Sequence, residues 1–320
     1  MGSITERIDR ITLLTNDARS PAPPVPRSVK IELTARCDFQ CFFCASAMRL
    51  RDKADIDPAF YRRILKQMRE LGVEEIGLFY LGESFLCSWL PEAIHYAKHE
   101  CGYPYVFLTT NGRMATPERM RECMEAGLDS LKFSFNFADA EQFAQVTGVR
   151  AADFAKVEGN IKAARAVRDE VERQTGHRCG LYASSIRYDD EQQARMVQAV
   201  ERILPYVDEH YWLPLYSMGS MTTQREEELG YRPIAGNQGR LGALREPLPC
   251  WSAFTEGHIT HEGKLSACCF DAGDKWVMAD LREVPFMDGW NSETFVKLRE
   301  AHLRKDVTGT ICESCVAYQG

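Results

Sequence analysis

The sequence predicts an α/β protein whose parallel sheet is either a partial six-unit barrel or an open doubly wound sheet, with a small cysteine-bearing α+β module after it. Three observations predict this. Strand-length apolar runs alternate with helix-period segments from residue 29 to about 215. The alternation is regular enough to imply right-handed βαβ units. The character of the chain then changes after residue 250, where turn residues and cysteines replace the long periodic segments.

The elements follow in order. Residues 1–28 end in a Pro-rich stretch, PAPPVPRS, and read as an extended leader. Strands are expected at 29–34, 75–81, 105–110, 130–135, 181–186 and 210–215. Helices are expected at 58–71, 91–100, 117–126, 152–174 and 191–204; Phe60, Ile64, Leu65, Met68 and Leu71 mark the apolar face of the first, and Val157, Ile161, Ala164, Val167 and Val171 that of the fourth. Residues 217–249 are Gly-rich and charged, and read as a linker or a cover over the active site. Within 250–320 a hairpin is expected from 257–260 and 264–268, turning at His261-Glu262-Gly263, with a helix at 292–303. Six units are too few for an eight-fold barrel, and in either architecture functional residues belong on loops beyond the C-terminal ends of the strands.

Composition narrows the functional classes. With 45% hydrophobic and 27% charged residues the chain is a globular protein with a sizeable core. A net charge of −7 argues against nucleic acid, which needs a basic footprint. No apolar run is long enough to cross a bilayer, and no signal peptide is evident, so no membrane partner and a cytoplasmic location are expected. The 12 cysteines do not suit a disulfide scaffold, which belongs to short secreted chains. Cys87, Cys101, Cys123 and Cys179 are scattered singly and read as small hydrophobes. The others group as Cys37, Cys41 and Cys44, and as Cys250, Cys268, Cys312 and Cys315, with Cys269 beside Cys268.

The first group has the spacing Cys-x3-Cys-x2-Cys directly after the first strand. Three thiolates on one short loop can wrap one corner of a cubane, leaving one iron open; a zinc site completed from elsewhere is the other reading. The loop, with aromatic Phe43 before its last cysteine, resembles the cluster-binding signature of the radical S-adenosylmethionine (radical SAM) superfamily. The resemblance extends over residues 29 to about 216. Leu81-Gly82-Glu83-Ser84 stands where the family has a Gly-Gly-Glu-Pro-like motif, with the first Gly and the Pro replaced. It implies that Glu83 takes the methionine amino group, helped by backbone around Gly82. It likewise implies that Phe43 and Asn111 lie at the cofactor, that Ser134 and Asn136 meet the ribose hydroxyls, and that Arg187 meets the methionine carboxylate. Asn111-Gly112 also reads as a plain turn, and Arg187 as a surface cation. The implied chemistry is reductive cleavage of S-adenosyl-L-methionine to a 5′-deoxyadenosyl radical that abstracts hydrogen from substrate, with a flavodoxin- or ferredoxin-type electron donor.

Cys250, Cys268, Cys312 and Cys315 come from three separate segments and could close on structural zinc or on a second cluster. They resemble the twitch module, a shortened form of the SPASM module, which implies one auxiliary [4Fe-4S] cluster and two clusters in all. The resemblance thus implies a partial (β/α)6 parallel barrel with a small C-terminal α+β cluster-binding domain. The spacing from Gly263 favours Cys268 over Cys269.

The cluster spacings look most like the dehydrogenases of aminocyclitol antibiotic biosynthesis, which oxidise a secondary alcohol of a small polar substrate. The hydroxyl proton then needs an acceptor, for which Arg187, His210 and Tyr211 near strand ends are candidates. Two other outcomes stay open: maturation of a ribosomal peptide by crosslinking, epimerisation or decarboxylation, and epimerisation of a sugar or nucleoside with Cys179 or Cys269 as hydrogen donor. Only 36 residues precede Cys37, fewer than a peptide-leader recognition domain needs.

Overall fold

The computed structural model describes residues 3–48, 50–215, 218, 221–229, 240–243, 245–271 and 273–315. The segment expected to be an extended leader begins instead with a helix, α1 (Ile4–Thr12). Ser3 caps it by accepting from the amide of Glu6 while the Glu6 carboxylate accepts from the amide of Ser3. That S-x-x-E box is a local helix-start signal. It sits in a segment too short and too charged to stand out by periodicity.

The sheet is built from β1 (Ser28–Ile31), β2 (Glu75–Gly77), β3 (Tyr105–Thr110), β4 (Ser130–Ser134), β5 (Gly180–Ile186) and β6 (Glu209–Leu213). All are parallel and neighbours in chain order. Every crossover therefore steps the same way, with no reversal of strand order. A doubly wound sheet requires such a reversal, so the arrangement is the barrel arc. The crossovers carry α2 (Pro58–Glu70), α3 (Leu90–His95), α4 (Pro117–Glu125), α5 (Ala140–Thr147), α6 (Asp153–Thr175) and α7 (Asp190–Ile203). Of these, α5 has no counterpart in the sequence expectation.

Alternation along each strand separates the two faces. Val29, Ile31, Ile76, Val106, Leu131, Phe133, Leu181 and Ala183 are buried in the main core with Ile64, Met68, Met120, Val157 and Ile161 of the helices. The inner face is more polar, with Lys30, Lys132, Tyr182 and Tyr211.

The second half of the chain adds α8 (Thr223–Glu228), α9 (Ser252–Thr255), β7 (Glu256–Ile259), β8 (Lys264–Ser266), β9 (Val277–Asp280), α10 (Phe286–Trp290) and α11 (Glu293–Leu303). Of the expected linker or cover, residues 217–249, positions 217, 219, 220, 230–239 and 244 lie outside the described residues. The expected hairpin is β7–β8. β7 also pairs in parallel with β1, and β8 and β9 continue antiparallel, so one nine-stranded sheet runs β6-β5-β4-β3-β2-β1-β7-β8-β9.

α1 spans the open side of the arc. Its first amide, at Ile4, donates to Glu209 of β6 at 2.9 Å, while the carbonyl of Ile11 accepts from Thr255, just before β7, at 2.8 Å. Arg7 pairs with Glu75 at the foot of β2 and lies over the Phe107 ring at 3.9 Å. Arg299 on α11 fastens the C-terminal module. Wholly buried, it stacks on Phe295 and Trp290 and donates to the carbonyls of Ala253, Trp290 and Pro21.

Replacing Arg299 by Met leaves those carbonyls without their charged donor. The substitution is expected to cost about 3 kcal/mol. Calorimetry of the reconstituted protein should show a thermal midpoint lowered by several degrees; an unchanged midpoint would contradict the bridging role.

Candidate functional site

The loop that leaves β1 carries Cys37, Cys41 and Cys44, and is pinned at several points. Phe39 and Phe42 are buried, and Phe39 meets Phe143 of α5 edge-on at 5.5 Å. The amides of Gln40 and Phe42 donate to the carbonyls of Thr147 and Val146 at 2.7 and 3.1 Å. Those are last-turn carbonyls of α5 that its own helix leaves unpaired. The amide of Cys44 donates to the carbonyl of Cys41 at 3.0 Å, which tightens the loop. Phe43 is half-buried, edge-on to Phe42 at 5.2 Å.

The three thiols sense one another. Burial pushes Cys37 up to about 12, with the Glu83 charge adding to it. Cys41 is raised by burial and then by Cys44 and Cys37, and Cys44 is raised by burial. Three thiolates are thus unfavourable on their own, and an iron cluster removes that penalty by bonding them. Among the described residues no three His, Cys, Asp or Glu side chains surround a single-ion point; a cubane, which takes each thiolate on a separate iron, does not require one.

Gly82 lies where the exit of β2 meets this loop. A Cβ there would stand 1.8 Å from the carbonyl oxygen of Thr34, so only glycine fits. The amide of Glu83 donates to the carbonyl of Arg36 at 2.8 Å. The Glu83 carboxylate, 3% exposed, accepts from the Thr110 hydroxyl and the Asn111 amide at 2.8 Å each, and from the Phe85 amide at 3.1 Å. Burial raises it to about 7, with Asp38 adding to the rise and those donors opposing it. The Asn111 side chain donates to Asp38 at 2.7 Å and accepts from the Arg113 amide at 2.9 Å, so it serves the turn as well as the site.

The other sequence candidates divide. Ser134 is half-buried at the end of β4. Asn136 is committed to the β4–β5 junction: its Oδ1 accepts from the Ile186 amide at 2.9 Å and its carbonyl from the Tyr188 hydroxyl at 2.8 Å. Arg187 is exposed after β5. His210 lies on the outer face of β6, 3.0 Å from Ser185 Oγ, and burial pushes it down to about 4. Neither Arg187 nor His210 lines the central cavity: Arg187 lies past the end of β5, and β6 alternates so that Tyr211 turns inward instead of His210.

In the C-terminal module Cys250, Cys268, Cys312 and Cys315 line one cavity with Cys269 and His302. Burial raises the Cys268 thiol well above its usual value, and Cys269, Cys312 and Cys250 add to the rise. His302, unremarked in the sequence, joins two of the segments. Its Nδ1 accepts from the Cys250 amide at 3.2 Å, which leaves the proton on Nε2, 3.3 Å from Cys312 Sγ. Burial pushes it down to about 4, so the ring is neutral. Cys87, Cys123 and Cys179 are buried among apolar residues as expected; Cys101 is half-buried.

The central cavity, about 180 Å³, lies inside the arc against α1. Its lining includes the charged residues Arg7, Lys30, Lys132 and Glu256, with the Tyr211 hydroxyl beside them. Trp251, Cys269 and Phe270 line both this cavity and that of the four C-terminal cysteines, so the two adjoin. Lysine in mid-strand reads as solvent-facing in a sequence, which is why Lys132 escaped notice.

Comparison with known proteins agrees with this geometry. Residues 31–172 match the Radical SAM superfamily, and residues 250–316 match the SPASM iron-sulfur cluster-binding domain. The PqqA peptide cyclase of Streptomyces rochei is 34% identical over 148 residues, which is 46% of this chain and only 38% of that protein. The PqqA peptide cyclase of Xanthomonas campestris pv. campestris (strain 8004) is 26% identical over 92% of this chain and 80% of its own length. These relatives are peptide cyclases rather than aminocyclitol dehydrogenases. Among solved structures, BtrN in complex with AdoMet and 2-DOIA superposes with a TM-score of 0.57 at 16% identity, covering 86% of each chain. Streptococcus suis SuiB bound to precursor peptide SuiA gives 0.64 at 16% identity, covering 92% of this chain and 71% of SuiB. The chain therefore carries a radical SAM domain joined to a SPASM-type cluster-binding domain, with S-adenosylmethionine and [4Fe-4S] clusters as its cofactors.

Proposed function

We propose that this protein is a radical SAM oxidoreductase that oxidises a secondary alcohol of a small polar substrate, such as a sugar or aminocyclitol, held in the central cavity. The observation that carries this is the common wall of Trp251, Cys269 and Phe270 between that cavity and the C-terminal cysteine site. When bound, the cofactors supply a hydrogen-abstracting radical and a sink for one electron. The alcohol loses one hydrogen atom, one proton and one electron, and becomes a ketone.

The residues take these roles. Cys37, Cys41 and Cys44 hold the first cluster with one iron open. Glu83, whose charge is felt at Cys37, holds the methionine amino group, and Ser134 the ribose. Cys250, Cys268, Cys312 and Cys315 hold the second cluster, with His302 orienting Cys312. Cys268 suits this better than Cys269, because the charges that Cys268 feels are those of the neighbouring cysteines, Cys312 and Cys250 among them, whereas Cys269 feels Lys30 and Glu256 of the central cavity first. Of Arg187, His210 and Tyr211, Tyr211 is the one in the cavity lining, where it faces the substrate.

A second reading has its own support: the peptide cyclases among the relatives, and a larger opening lined by Met48, Met218, Met221 and Trp276, where a peptide could lie. Crosslinking a peptide also removes two hydrogens, so the same cofactors serve it.

Anaerobically reconstituted protein should hold about eight irons per chain; Cys268→Ala should retain about four and Cys269→Ala about eight. Equal iron in the two variants would reverse the choice of ligand. Glu83→Ala should weaken S-adenosylmethionine binding about 10- to 100-fold with iron content unchanged, as loss of a charged hydrogen bond implies. To test the reaction, the reduced enzyme is given a carbon-deuterated aminocyclitol and, separately, a deuterated precursor-type peptide. Deuterium in 5′-deoxyadenosine together with a ketone product supports alcohol oxidation. Transfer from the peptide alone, with a crosslinked product, would replace it by the second reading.

A further inference from the structure

The charges lining the central cavity do not balance locally. Arg7 pairs with Glu75, and Lys30 pairs with Glu256 at 2.7 Å. Glu256 is further engaged by His258 at 3.2 Å and Ser28 at 3.5 Å. Lys132 projects into the same space from the middle of β4, and its ammonium donates to the Tyr211 hydroxyl at 3.2 Å. Among the described residues no carboxylate stands within ion-pair distance of it. Lys132 is therefore a half-buried amine sharing the cavity with two other cations, each of which already has its own anion.

Such a group has two ways to be stable. It can shed its proton, or it can receive an anion from outside the chain. Burial, then Lys30 and Arg7, push its amine down to about 7, with Glu256 opposing. An ammonium near that point is easily held protonated by an incoming negative charge. The Tyr211 hydroxyl accepts from Lys132, so its own proton remains to be donated. The two side chains thus offer parallel donors to one acceptor group. Cys269 and Trp251 stand in the same lining, and no further acid does so besides Glu256.

We propose that the central cavity is a carboxylate-binding pocket in which Lys132 Nζ and Tyr211 Oη hold the carboxylate of the substrate. This deepens the reading above, on which it rests, by giving the secondary alcohol that is oxidised an acid group on the same small molecule, as in a sugar acid or a small hydroxy acid. Burial of the ion pair in an enclosed space makes the selection against neutral analogues strong. With Lys132 protonated in the complex, the proton from the oxidised group must leave by another route.

The test uses the reconstituted protein with its lysines carbon-13 labelled at Cε, and propionate as probe with propionamide as the neutral isostere. One lysine resonance, identified by its loss in Lys132→Met, is expected to move saturably with propionate and not with propionamide. Its titration midpoint should rise by about one unit or more when propionate is bound. Tyr211→Phe, which keeps the resonance, should weaken propionate binding several-fold, and it serves if Lys132→Met does not fold. Equal shifts with the two probes, or none, would overturn the proposal. A resonance that titrates near 7 and ignores propionate would also overturn it, and would make Lys132 a proton acceptor. The measurement involves no radical chemistry, so its failure leaves alcohol oxidation standing, and failure of the deuterium experiment leaves the pocket standing.

Discussion

The arrangement of this protein depends on the two-sided parallel pairing of β1, with β2 on one edge and β7 on the other. That strand ends at the loop of Cys37, Cys41 and Cys44, while β7 follows Cys250 after the single turn of α9 and is hairpinned to the strand before Cys268. One short strand therefore sets the spacing between the two cysteine groups. Glu32, the next residue, locks the junction. Its buried carboxylate accepts from Arg51 of the cysteine loop, His261 of the hairpin and the Leu81 amide at the exit of β2. Burial alone would raise that carboxyl; the bonds from His261 and the charge of Arg51 more than offset it and hold it below its usual value. An ionised side chain buried this deeply is stable only because three elements supply donors, so the three are held together.

The interior of the arc follows a different rule from its outside. Outward residues build a continuous apolar core, whereas the inward face keeps charges that are mostly compensated across long sequence distances: Arg7 with Glu75, Lys30 with Glu256. Helix α1 makes this possible. By spanning from Glu209 to Thr255 it covers the open side of six strands that do not close on themselves, and it shields the cavity from bulk water. Inside such a space electrostatic interactions are strengthened, so each charge there constrains what can bind.

The two cysteine sites illustrate different kinds of organisation. The first is a local loop whose thiols are brought together by turns within a few residues and by the end of α5. The second is assembled from three distant segments, and a neutral histidine on α11 ties the Cys250 backbone to the Cys312 sulfur. Sulfur partners of this kind tune a cluster's potential. The wall of Trp251, Cys269 and Phe270 then joins the second site to the cavity where substrate would sit.

The sequence by itself determined the alternation of strands and helices, the glycine at Gly82 and both cysteine groups, because each is written in spacing over a few residues. The helix faces predicted from Phe60 to Met68 and from Val157 to Val171 pack as their periodicity implies, whereas Leu71, assigned to the first face, is the residue that ends α2 and is exposed. Only the tertiary structure decided which of His210 and Tyr211 faces the cavity: neighbours on a strand point to opposite sides, and β5 and α1 select the side. It also decided the pairing of β7 with β1, the use of α1 as a wall, and the parts played by His302 and Lys132. Those features rest on contacts between residues scores of positions apart, and nothing in the local pattern around a lone histidine or a mid-strand lysine records which partner the fold will bring to it.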